Sequence, residues 1–199
     1  SSLGVGDALS ISALEGAGIT DLVLAIKKQL PIDAGVPADG PGMPLQIAIV
    51  GRRNAGKSTL VNALCGRERM IVSKVPGTTR DSVDVEFELG GKTYVAVDTA
   101  GMRKPTKIED SVELYSQART RTAVRRANVV LLLLDASDEI GEVDKKLAGL
   151  VSEHDIPVVI AVSKWDLARE KGLAPEDYEK YVRESLPGLW YAPIAFISG

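Results

Sequence analysis

Cysteine is almost missing from this chain: Cys65 is the single one in 199 residues. One thiol cannot close an internal bridge, so a disulfide scaffold is excluded and a reducing cytoplasmic setting is expected. Histidine is equally scarce. His154 has no partner at metal-ligand spacing and reads as a surface residue, while Cys65 reads as core. No apolar run approaches the ~20 residues of a membrane-spanning helix; the longest runs from Val129 to Leu134. The first residues have no basic n-region and no apolar h-region, so no signal peptide and no membrane partner are expected. A dominant charge is lacking too, with 24 Lys+Arg against 27 Asp+Glu and a net charge of −3. The molecule as a whole is therefore not an electrostatic nucleic-acid binder, and any such surface must be local.

What remains is ordinary for a globular chain: 45% hydrophobic and 26% charged residues, with enough length for one sizeable core and something left over. One stretch organises the rest. Gly51-Arg52-Arg53-Asn54-Ala55-Gly56-Lys57-Ser58 fits G-x-x-x-x-G-K-[ST], the phosphate-binding P-loop. The apolar run Leu45 to Val50 before it reads as a buried strand, and Thr59 to Leu64 after it as the start of a helix. That is the context the motif requires. Gly51 and Gly56 permit a tight bend, successive N–H groups point inward, and the following helix adds its positive end. Lys57 supplies a point charge, and Ser58 is placed to ligate Mg²⁺.

Taken in order, residues 1–31 read as a short strand at 8–13 and a helix from Thr20 to Leu30, stopped by Pro31. Residues 32–43, with Pro37, Pro41 and three glycines, read as a linker, and a new domain runs over 44–199. Residues 67–76 read as loop. Val83 to Leu89 alternates as a half-buried strand, turns at Gly90-Gly91, and returns as Thr93 to Val97. Helices are expected at 112–127, 143–152 and 175–186, and buried strands at 128–134, 157–162 and 193–197. Strands alternating with helices after one hairpin imply a three-layer α/β fold with a mostly parallel six-stranded sheet and one antiparallel edge strand. Ligands in such sheets bind at the carboxyl ends of the strands, where every motif in this chain sits.

Four of those motifs carry a family resemblance: the P-loop, Pro76-Gly77-Thr78-Thr79-Arg80-Asp81, Asp98-Thr99-Ala100-Gly101-Met102-Arg103-Lys104, and Ser163-Lys164-Trp165-Asp166. In this order they resemble the bacterial Era/MnmE/Der-like P-loop GTPases, most of all the second G domain of the tandem Der (EngA) family. Ser10-Ile11-Ser12-Ala13 is similar to the element that ends a G domain on the guanine side, and Phe196-Ile197-Ser198-Gly199 looks like its second copy. Residues 1–31 thus resemble the tail of a preceding G domain, and 44–199 a second one cut before its last helix.

The resemblance implies a GTP/GDP-binding switch that hydrolyses GTP slowly with Mg²⁺, acting in assembly of the large ribosomal subunit. Residues 51–59 would contact the nucleotide, with Ser58, Thr79 and Asp98 around Mg²⁺; Thr78 is the close second to Thr79. Gly101 would approach the γ-phosphate, flanked by Thr99, Ala100 and Met102. Asp166 would accept from guanine N1–H and the exocyclic amine, with Lys164 along the base plane, and Ser163, Trp165, Ser198 and Gly199 beside it. The family expects Asn at position 163, a brace for the P-loop, so Ser163 predicts looser guanine binding. Arg53 and Ala55 replace the usual Pro and Val; Arg53 reads equally as added charge near the phosphates or as a solvated loop residue. Met102 stands where Ras-like enzymes orient water with Gln. By likeness to MnmE, K⁺ held partly by Asn54 would supply the missing charge.

Arg103, Lys104, Lys107, Arg119, Arg121, Arg125 and Arg126 gather positive charge. They read as a ribosomal RNA contact or as a solvated helix face. Two other classes compete with the GTPase reading: a nucleotide-gated binding module with little hydrolysis, and a P-loop kinase or ATPase, against which Asp166 argues.

Overall fold

The structure, a computed structural model, describes residues 9–12, 44–66, 70–71, 85–89, 92–97 and 112–198. The expected helix at 20–30 and linker at 32–43 lie outside them. Eight strands form one sheet: β1 (Leu9–Ser12), β2 (Leu45–Gly51), β3 (Met70–Ile71), β4 (Val85–Leu89), β5 (Lys92–Val97), β6 (Val129–Asp135), β7 (Val158–Ser163) and β8 (Ile194–Ser198). Their spatial order is β1-β8-β7-β6-β2-β5-β4-β3. The helices are α1 (Lys57–Gly66), α2 (Val112–Arg126), α3 (Glu142–Ser152), α4 (Trp165–Glu170) and α5 (Pro175–Ser185).

The expected six strands are β2 and β4 to β8, parallel except for β4, which runs antiparallel to β5. Two short strands lengthen this sheet. Residues 70–71, read as loop, pair antiparallel with β4, so the antiparallel strand is next to the edge rather than at it. At the other edge β1 pairs in parallel with β8, Ser10 opposite Phe196 and Ser12 opposite Ser198. The two similar sequences thus lie side by side in register. α1 begins at Lys57, two residues before the expected start, and α4 was not anticipated at all.

β6 shows why the sheet is central. All seven of its residues are buried. Val130, Leu132 and Leu134 face one layer with Ala123, Val124, Ala148, Val151 and Val182 from α2, α3 and α5. Val129, Leu131 and Leu133 face the other with Leu60, Val61 and Leu64 from α1. A strand covered on both faces has no need of polar alternation, hence its continuous apolar run. Each fully buried Leu or Val there stabilises the fold by roughly 1.5–3 kcal/mol.

Candidate nucleotide site

The carboxyl ends of β2, β6, β7 and β8 lie along one margin of the sheet and deliver Gly51, Asp135, Ser163 and Ser198 there. β2 runs into the loop Arg52–Gly56, and α1 starts at once with Lys57. Gly51 pairs with Leu133 of β6, and a Cβ on it would lie 2.7 Å from the Leu133 carbonyl oxygen. Only glycine fits against that backbone. The loop then turns through two left-handed residues, Asn54 at φ 65° and Gly56 at φ +88°, a region that glycine and asparagine occupy most readily. Ala55 between them is fully buried and packs into the α1-side core, which fastens the loop from beneath.

Two of the three cations here, Lys57 and Arg52, are engaged within the protein. Lys57 Nζ donates to the carbonyls of Gly51 (2.6 Å) and Arg52 (2.5 Å) across the loop's mouth. Burial pulls its pKa down to about 8, against an opposing pull from the Asp144 carboxylate. An anion drawn into the loop would reverse that desolvation cost. Arg52 turns to the segment after β6: its guanidinium donates to the Glu139 carbonyl at 3.1 Å and pairs with Asp138 (3.1 Å) and Asp144 (3.5 Å). Its side chain is thus a strut to α3, and its backbone is what remains for a ligand. Asp144 is 2% exposed; one oxygen also accepts from the Gly141 N–H (3.0 Å), tying off the start of α3. Arg53 and Asn54 are exposed, as are Ser58 and Thr59 in the first turn of α1.

Facing this loop is the end of β7. The Ser163 hydroxyl lies 2.8 Å from the Ala55 carbonyl oxygen and 3.0 Å from that of Leu134. Its single proton is shared between the two. The brace expected of an asparagine is therefore made by the shorter side chain. Lys164 follows in the left-handed region at φ 55° and starts α4. Its ammonium bonds to Asp135 at 2.5 Å, and the same carboxylate accepts from the Ser137 N–H (3.0 Å) and hydroxyl (2.6 Å). Burial alone would raise the Asp135 pKa; the bonds from Lys164 and Ser137 outweigh it and hold the carboxyl below its usual range. Asp166 lies one residue into α4, half-buried, and its Oδ1 is enclosed without a hydrogen-bond partner. Trp165 points the other way, into the core against Phe196, with ring centres 4.3 Å apart. It anchors the loop and offers no ring to a ligand. Ser198 is half-buried at the end of β8.

The structure thus brings together the P-loop, Ser163, Lys164, Asp166 and Ser198 on one margin. Thr78, Thr79, Asp98, Thr99, Ala100, Gly101, Met102 and Gly199 lie outside the described residues. Three contributors were missed in the sequence: Asp135, Ser137 and Asp144. Asp135 left a signal, since a carboxylate closing a wholly apolar strand at its carboxyl end must be partnered. Asp144 left none, because nothing local marks a helix acid that reaches back to a loop 92 residues earlier. His154, read as a surface residue, is half-buried, its Nδ1 at 2.9 Å from the Leu150 carbonyl.

The family model described as "50S ribosome-binding GTPase" matches residues 46–164, more than half of the chain. GTPase Der of Rhodopirellula baltica is 45% identical over 197 residues, covering 99% of this chain and 43% of that protein. GTPase Der of Desulfitobacterium hafniense is 45% identical over 196 residues, covering 98% and 44%. The chain therefore spans less than half the length of these curated relatives. Among solved structures, Era in complex with MgGDPNP and a segment of 16S ribosomal RNA matches at TM-score 0.57 and 26% identity, over 79% of this chain and 52% of that one. The G domain of the Thermotoga maritima FeoB iron transporter shares the fold at TM-score 0.52 and 22% identity, over 78% and 88%. By the extent of the family match and the P-loop geometry beneath it, this chain belongs to the 50S ribosome-binding GTPases and is similar within them to the Der proteins.

Proposed function

We propose that the site binds GTP and GDP with Mg²⁺, hydrolyses GTP, and serves as a switch in assembly of the large ribosomal subunit in the cytoplasm. The observation that carries the nucleotide reading is the Ser163 bond to Ala55. It couples the base-side loop directly to the P-loop, so one ligand with an anionic tail and a ring can fill both at a fixed spacing. The enclosed Asp166 oxygen supplies the ring's specificity. A buried carboxylate oxygen without a donor costs about 1–3 kcal/mol, which a purine offering N–H groups there would recover. Guanine offers two such donors; adenine presents no N1–H.

The donors fit Mg²⁺. Ser58 gives a hard oxygen in the first turn of α1, and Asp98 follows directly on Val97, whose strand lies beside β2. Among the described residues no group of three or more His, Cys, Asp or Glu forms a metal cage. When bound, Mg²⁺ would neutralise charge on the β- and γ-phosphates; the chain's own part is to cradle those phosphates with the N–H groups of 52–58 and the Lys57 ammonium. Thr79 would join the ion in the GTP state, and Gly101 would close on the γ-phosphate, ordering two loops that hydrolysis releases.

The test is a titration of GDP against ADP, followed by Asp166→Asn with xanthosine diphosphate. Strong preference for GDP, transferred to xanthosine diphosphate by the substitution, is expected. Equal affinity for GDP and ADP overturns the reading. Asn54 stands exposed at the loop tip, where we place a K⁺ ligand during hydrolysis. A cation there would take the role of an arginine finger, worth ~10³–10⁵ in rate. GTPase rates in KCl should far exceed those in NaCl; equal rates remove Asn54 from the mechanism.

On the ribosomal side, Arg121 and Arg125 on α2 are exposed and offer a phosphate contact. Salt-dependent RNA binding, lost on charge reversal at both positions, is the expected outcome.

A further inference from the structure

The margin of the sheet opposite the nucleotide site carries a feature that nucleotide chemistry does not use. Between α5 and β8 the chain makes a 3-10 turn, Pro187–Leu189, then presents Trp190 and Tyr191 before Pro193. Trp190 is 72% exposed and Tyr191 45%, with their rings packed edge to face at 6.1 Å. Their neighbours Leu189 and Ala192 are 1% and 0% exposed. This is no frayed loop. Arg183 donates to the Leu189 carbonyl (3.1 Å) and the Ala192 carbonyl (2.6 Å), bracketing the two aromatics, and is itself held by Glu179 at 3.0 Å. A guanidinium used to clamp the loop's underside holds two rings outward at little further cost in chain entropy.

The surroundings are acidic. The turn lies against the end of α3, where a Cβ on Gly188 would be 3.6 Å from Ser152 Oγ. Ser152 is followed by exposed Glu153 and Asp155, and Glu184 is exposed on the last turn of α5. Both helices point their carboxyl ends, the negative poles of their dipoles, toward this turn. Arg183, the cation in contact with this loop, is spent on the clamp, and exposed Lys180 lies one turn further back on α5. Phosphate is repelled by such a field, so a nucleic acid is disfavoured, whereas an ammonium or guanidinium is attracted to the carboxylates and to the ring faces alike.

We propose that the Trp190–Tyr191 loop docks a lysine- or arginine-bearing segment of another protein, independently of the nucleotide state. The test uses full-length protein and the peptide decalysine, with a neutral Gly-Ser peptide and decauridylate as comparisons, followed by calorimetry. Decalysine should bind, Trp190→Ala should weaken it about tenfold, and the triple change Glu153→Gln, Asp155→Asn, Glu184→Gln should weaken it further. Salt at about 1 M, where the screening length is roughly 3 Å, should abolish it. GDP affinity should be unchanged in every variant, which certifies the fold, and decalysine should bind equally with GDP or a GTP analogue. Unchanged decalysine affinity in both variants overturns the proposal. So does tighter binding of decauridylate at this loop, or a Trp190 shielded from acrylamide quenching in the free full-length protein, which would mean that the chain covers it itself.

Discussion

The loop Arg52–Gly56 and the loop Ser163–Asp166 adjoin at one margin of the sheet but are held in different ways. The first is a backbone device. Its shape comes from Gly51 pressed on Leu133, two left-handed residues and a buried Ala55, with Lys57 bonded inward to the loop's own carbonyls and Arg52 to α3. The second is a side-chain device, fixed by the Ser163 hydroxyl, the Lys164–Asp135 pair and the Trp165 anchor, with the Asp166 oxygen left over. A backbone cradle recognises any oxyanion of the right size. A side-chain cradle can be aimed at one ring. The two should therefore fail differently when altered.

The sharpest break is Gly51→Ala. The added Cβ at 2.7 Å meets main chain, not a movable side chain, so β2 and β6 must separate. Overpacking of this kind costs about 1–3 kcal/mol, and nucleotide binding should be lost together with a fall in melting temperature. Binding kept at full strength would show that the loop tolerates a different path. Ser163→Ala should be milder. It removes one shared hydrogen bond between the loops, a net loss of about 1 kcal/mol, or roughly 2–4 °C in melting temperature for a domain of this size. GDP affinity should fall in step, because the loops would no longer be tied. A drop in stability with unchanged affinity would show that the brace serves folding alone.

The smallest effect concerns pH. Hydrogen bonds from Lys164 and Ser137 hold the Asp135 carboxyl below the ordinary aspartate value of 3.8 in the folded state. Its partners therefore add stability that is present above that value and is lost as pH falls through the folded pKa. Comparing wild type with Asp135→Asn by chemical denaturation, the advantage of wild type should be constant near neutrality and shrink only in acid. An advantage that changes between pH 6 and pH 8 would point to another group.

Much of the fold was legible because its signals are local. The run Val129 to Leu134 reads as a central parallel strand, which it is, and helices α2, α3 and α5 fall within two residues of their expected ends. β3 was not legible: two residues have no period, and pairing with β4 alone makes them a strand. α4 was hidden inside the Ser163–Asp166 motif, whose left-handed Lys164 opens a helix with no capping side chain to announce it.

By itself the sequence determined which loop would bend, since a glycine's freedom and a lysine's charge act at their own positions. It also determined which strands would be buried, since a period needs only neighbours. The tertiary structure decided what each polar group does. Ser163 reaches Ala55 across 108 residues, and Arg52 meets Asp144 and Lys164 meets Asp135 only after the sheet is ordered. Hydrogen bonds act over about 3 Å of space, and distance in space between residues far apart in the chain exists only once the strands between them have paired.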